Sequence, residues 1–96
     1  MVSFREKIFE IVKQIPYGGV LSYKEVAKKV GRPRAWRAAG NSLNQNRNLK
    51  IPCHRVIKSN GGVGGYRYGI KRKITLLKKE GIIIDSHGKI TPRITK

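Results

Sequence analysis

The sequence predicts a mainly α-helical domain with a small β hairpin, arranged as a winged-helix or helix-turn-helix module. Apolar residues recur at helical spacing in Phe4, Ile8, Ile11, Val12 and Ile15. Two further short helical patterns meet at Gly31, the second of them basic. Near the end, β-branched residues flank Ser86-His87-Gly88, which fits a hairpin. At 96 residues the chain is expected to form one domain over 1–96, with no domain before it.

Local signals place each element. Ser3 and Glu6 have capping-box spacing, in which each side chain satisfies a free backbone N–H of the other. Pro16-Tyr17-Gly18-Gly19 ends the first helix, because proline lacks a donor and glycine permits the turn. Ser22 and Glu25 form a second capping box, Val26, Ala27 and Val30 follow on one face, and Gly31 stops that helix. Pro33 suits a first turn, so a third helix is expected from Arg34 to Asn46, decorated by Arg32, Arg34, Arg37 and Arg47. Residues 59–69 carry five glycines and two tyrosines, a loop that must turn tightly or approach something closely. Ile70, Ile74 and Leu77 mark a last helix closed by Gly81, and the tail from Thr91 to Lys96 is expected to be loose.

Charge narrows the partners. Lys and Arg number 22 against five acidic residues, a net charge of +17. Such a surface suits a polyanion, since cations that neutralise phosphates release counterions and gain sequence-independent affinity. A membrane surface is the weaker alternative, because no long basic amphipathic helix stands out. No run of about 18 apolar residues exists for a membrane span, and no signal-peptide core precedes Pro16, so a cytoplasmic protein is expected. A single Cys excludes an internal disulfide framework and, with only two His, argues against structural zinc.

Cys53 is the one strong nucleophile. A lone Cys is usually a small buried hydrophobe. Its neighbours His54 and Arg55, however, supply a base and a positive field, which a reactive thiolate needs. A base must in turn be oriented, usually by a carboxylate. Glu6, Glu10, Glu25, Glu80 and Asp85 are all candidates on sequence grounds. Ala35, Ala38, Ala39 and Gly40 keep part of the third helix small, which allows either close approach to a partner or tight helix packing.

In order along the chain stand Ile15-Pro16-Tyr17-Gly18, Ser22-Tyr23, Gly31-Arg32-Pro33, Arg37-Ala38-Ala39-Gly40-Asn41, Ile51-Pro52-Cys53-His54-Arg55-Val56-Ile57 and Gly64-Gly65-Tyr66. Over about residues 3 to 84 this set resembles the catalytic domain of the O6-alkylguanine-DNA alkyltransferases. The resemblance implies a repair protein that moves an alkyl group from O6-alkylguanine, with O4-alkylthymine a second substrate, irreversibly onto Cys53. It implies one turnover, no cofactor and no metal. His54 would take the thiol proton through a water, Glu80 would orient His54, Asn46 would help hold the site, and Tyr23 would hydrogen-bond the guanine. Arg37 would fill the gap left by an extruded base. The implied partner is double-stranded DNA bound through its minor groove by a monomer, with Ala38 and Gly40 small enough to enter and Arg34, Trp36 and Arg47 beside them. Val56, Tyr66, Arg67 and Tyr68 would wall the base pocket, with Tyr68 narrowing it in favour of methyl.

Trp36 departs from the family pattern and reads equally as a core plug or a base-stacking surface. Short relatives that bind alkylated bases and flag them for other repair pathways, without transfer, resemble this chain in length. They differ at the acceptor position, so Cys53 favours transfer over that alternative.

Overall fold

The computed structural model describes residues 3–48 and 50–90. Four α-helices dominate: α1 (Phe4–Lys13), α2 (Tyr23–Lys29), α3 (Trp36–Asn44) and α4 (Ile70–Lys79). Both capping signals operate. The Glu6 N–H donates to Ser3 Oγ at 3.1 Å, and α2 has a full reciprocal box, with Glu25 N–H to Ser22 Oγ at 3.0 Å and Ser22 N–H to Glu25 Oε1 at 2.9 Å. At the other end of α2, Gly31 turns with φ +82. Its N–H bonds the Lys28 carbonyl while Arg32 N–H reaches back to Ala27, a Schellman closure. Gly81 (φ +88) and Ile82 close α4 in the same way on Lys78 and Leu77.

Two expectations are corrected. The third helix begins at Trp36 and ends at Asn44, because residues 32–35 form a turn closed by Ala35 N–H to the Arg32 carbonyl. Arg34 therefore precedes α3 and Arg47 follows it, leaving Arg37 as the arginine on the helix. The β structure is also more than a hairpin. Strands β1 (Leu21–Ser22) and β2 (Val56–Ile57) pair in parallel, Leu21 opposite Val56 and Ser22 opposite Ile57. The expected hairpin survives as one antiparallel bridge, Ile84 to Ile90, around a turn in which Asp85 Oδ1 accepts the His87 and Lys89 N–H groups. The expected tail, Thr91–Lys96, lies outside the described residues.

The strand pair divides two cores. Successive strand residues point to opposite faces. Leu21 and Val56 accordingly join Ile8, Val12, Val26, Ala39 and Leu43 on the α1–α3 side. Val20 and Ile57 join Val63, Leu77, Ile82 and Ile90 on the α4 side. The segment leading into β2 carries Cys53-His54-Arg55 as a single 3₁₀ turn, so the chemistry-bearing residues sit at the seam between the cores. Among the described residues, no helix is long and apolar enough to cross a membrane.

Candidate active site

Cys53 is free and 9% exposed, at the edge of the α1–α3 core. It faces a pocket of about 310 Å³ lined by Tyr23, Gly40, Asn44, Gly65, Tyr66 and Arg67, among others. Burial pushes the thiol up from its ordinary value, since an apolar surround disfavours thiolate. Opposing that, Asn46 Nδ2 donates to Sγ at 3.0 Å, and the Lys73 charge acts in the same direction. Asn46 is itself buried and clamped: Nδ2 also reaches the Asn48 carbonyl at 3.0 Å, and Oδ1 accepts the Asn48 N–H at 2.9 Å. This Asx-type turn just beyond α3 ties the end of that helix to the thiol.

The fold selects one carboxylate of the five. His54 Nε2 lies 2.6 Å from Glu80 Oε2. Arg55 grips the same group from two nitrogens, Nε to Oε1 at 2.8 Å and Nη2 to Oε2 at 3.0 Å. Gly18 N–H adds a fourth donor at 3.3 Å. Glu80 caps the C-terminus of α4, where the helix dipole opposes negative charge. Burial also works against its ionisation, yet Arg55, His54 and Gly18 outweigh it and hold the carboxyl below its ordinary value. Arg55 extends the network through Nη1 to the Ile15 carbonyl at 2.8 Å, and Tyr17 Oη donates to the Lys79 carbonyl at 2.8 Å. The Pro16–Gly19 turn is thus fastened to the end of α4, behind His54.

Tyr23 opens α2 and sends its ring into the pocket. Burial, then negative charge on Cys53, raise its pKa, so it carries its proton at neutral pH and serves as a donor. Its hydroxyl lies 3.4 Å from the Gly65 carbonyl. Gly40 stands above the ring: a Cβ there would meet it at 3.7 Å. Gly40 therefore faces the pocket, while Ala38 is exposed.

Lys73 is a residue of the site that the sequence pattern does not reveal. It is 0% exposed, and its ammonium reaches the Val56 carbonyl at 2.6 Å, the Gly65 carbonyl at 3.0 Å and Tyr23 Oη at 3.4 Å. Burial pushes its pKa down to about 7, and charge on Cys53 pushes it back up. The available signal was a lysine inside the apolar stripe Ile70, Ile74, Leu77.

The pocket wall also differs from expectation. Tyr66 and Arg67 line it, and Arg67 Nη1 bonds the Asn44 carbonyl at the end of α3 at 2.9 Å. Val56 is fully buried and takes part through its carbonyl on Lys73. Tyr68 lies outside the lining residues, packed edge-on against Tyr66 at 5.4 Å, and reaches the pocket only through that ring.

The glycine loop has one position that excludes a side chain. Gly64 turns with φ +78, and a Cβ there would stand 3.2 Å from Lys58 Cγ and 3.3 Å from the Tyr23 ring and hydroxyl. Gly64→Ala is expected to cost about 1–2 kcal/mol from the left-handed backbone alone. Displacement of Tyr23 should slow the site's chemistry further. Gly65→Ala, with open space around it, serves as the near-neutral control in thermal denaturation.

The fold and site define a helix-turn-helix domain that carries a buried free thiol between a basic helix pair and a glycine-rich loop. Residues 3–82 match the family described as 6-O-methylguanine DNA methyltransferase, DNA binding domain, and the chain belongs to that family. The methylated-DNA–protein-cysteine methyltransferase of Methanosarcina acetivorans is 46% identical over 82 residues, covering 82% of this chain and 51% of that protein. Among solved structures, Mycobacterium tuberculosis OGT in complex with DNA superposes with a TM-score of 0.79 at 40% identity, covering 83% of this chain and 50% of that one. The S. pombe ATL structure in complex with DNA also gives 0.79, at 33% identity, covering 94% and 90%. The chain spans about half the length of the methyltransferase relative.

Proposed function

We propose that this chain repairs duplex DNA by moving the alkyl group of O6-alkylguanine, and of O4-alkylthymine as a second substrate, to Cys53. The observation that carries this reading is the buried Cys53 thiol facing a pocket, with Asn46 on its sulfur and, in the same turn, His54 paired with Glu80 from the end of α4. His54 takes the thiol proton through a water, and Glu80 fixes the ring. The Cys53 sulfur attacks the alkyl carbon, the S–C bond forms, and the C–O6 bond breaks. The departing guanine takes a proton from Tyr23, and Lys73 stands beside that hydroxyl to return one. The thioether is a poor leaving group and no second thiol exists to relieve it, so each chain acts once. Every group in this sequence comes from one chain, which supports a monomer.

Extrusion of the base is required, because a buried thiol cannot reach a stacked guanine. Exposed Ala38 beside Arg37 on α3 supports approach through the minor groove, where short side chains fit. The net charge of +17 supports phosphate binding, so affinity for duplex should fall by roughly 0.9 log units per log unit of salt for each phosphate contacted. A flat salt response contradicts this account of binding. Transfer itself is tested on the DNA product. With excess O6-methylguanine duplex, unmodified guanine should appear up to one equivalent of protein and then stop. Continued turnover, or no guanine despite lesion-selective binding, overturns the reading; the latter favours damage flagging.

A further inference from the structure

Trp36 is neither a core plug nor an isolated surface ring. It is exposed at the first position of α3, with the Arg37 guanidinium 5.1 Å and the Lys24 ammonium 5.8 Å from its centroid. Lys24 belongs to α2, so one ring gathers a cation from each helix of the pair. The electrostatics make this arrangement informative. The N-terminus of α3 has no side-chain cap and no acidic residue in its first turn. A helix N-terminus is its positive end, so Arg37 stands where a cation is disfavoured, in a chain already at +17. The negative face of the indole offsets this.

We propose that Trp36 is a positioning residue for Arg37, holding its guanidinium at the first turn of α3 so that it is preorganised for the gap an extruded base leaves. An unrestrained arginine loses much rotamer freedom on insertion, and a side chain already held against a ring loses less. The proposal rests on the transfer reading above and on Arg37 as the gap-filling residue. It says nothing about the chemistry at Cys53.

The test compares two transfer rates in each variant, one on a duplex with a single O6-methylguanine and one on free O6-benzylguanine base, which has no helix to leave. The quantity read is their ratio. Trp36→Leu keeps apolar bulk without the quadrupole and should lower the ratio by about fivefold, the scale of an exposed cation–π contact. Trp36→Phe should restore part of it. Arg37→Ala should lower the ratio at least as far, and adding Trp36→Leu to it should change nothing more, because the two act as one unit. A Trp36→Leu ratio equal to wild type overturns the proposal. So does an equal Trp36→Leu loss in the Arg37→Ala background, or a ratio lost in Trp36→Phe as fully as in Trp36→Leu. A wild-type ratio in Arg37→Ala removes the gap-filling reading and this proposal with it. Failure of both reactions in the wild-type protein instead rejects transfer itself.

Discussion

Replacing Glu80 with alanine is expected to slow transfer by roughly 10²–10⁴-fold, the range for loss of a working acid–base group. The same change should destabilise the fold by about 1–3 kcal/mol, between a surface pair and a fully buried one, because the Glu80 contacts are part-buried. Both effects have one origin. Glu80 receives His54, two nitrogens of Arg55 and the Gly18 N–H, and it joins the end of α4 to the turn after α1. Glu80→Gln keeps the shape and one acceptor, so its losses should be smaller in both measurements. The pH dependence has a definite sign. The folded-state pKa lies below the ordinary 4.5, so the stabilisation is complete above that value and is lost as pH falls through the lower folded one. Denaturation midpoints followed from about pH 6 to well below 4.5 should fall in wild type and flatten in Glu80→Gln. A transfer rate unchanged in Glu80→Ala would remove Glu80 from the mechanism.

Lys73→Met should act on both the fold and the thiol. It leaves the Val56 carbonyl without its Lys73 donor, at about 1–3 kcal/mol for a group left unsatisfied, and the Gly65 carbonyl with the long Tyr23 hydroxyl contact. In wild type, Lys73 has a folded pKa of about 7 against 10.5 unfolded. The unfolded chain therefore holds more protons between these values, and Lys73's contribution to stability rises with pH from about 7. The rise should fade above about 9, because Cys53 and Tyr23 have raised pKa values and pull stability the other way as they titrate. Lys73→Met should abolish the rise. While it keeps its proton the same ammonium favours the Cys53 thiolate, so its removal should slow iodoacetamide alkylation of Cys53 more below about pH 7 than above it. An unchanged alkylation profile would show that Lys73 does not act on the thiol.

What was legible in the sequence was mostly local. The caps at Ser3 and Ser22 and the glycine stops at Gly31 and Gly81 depend on neighbours three or four residues away, and each operates in the structure. The start of α3 was misread because proline suits a first helical turn, whereas here the 32–35 turn consumes it. The parallel pair was invisible: two-residue strands carry no period, and their partners lie 35 positions apart. Cys53 stood out by being alone, but the carboxylate could not be chosen from the residues themselves. Glu80 reaches His54 only because the closing turn of α4 packs behind the 3₁₀ turn. Lys73 hid inside an amphipathic pattern, since a lysine on an apolar face reads as noise until its acceptors are seen.

The central claim is covalent transfer to one sulfur, and the mass of the intact protein reports it directly. Wild-type protein and Cys53→Ala are each incubated with duplex carrying O6-methylguanine and weighed. The account predicts a gain of one methyl group in wild type, located by fragmentation on Cys53, and no gain in Cys53→Ala. A wild-type mass that does not change under conditions where the lesion is bound, or a methyl group located on another residue, would contradict it.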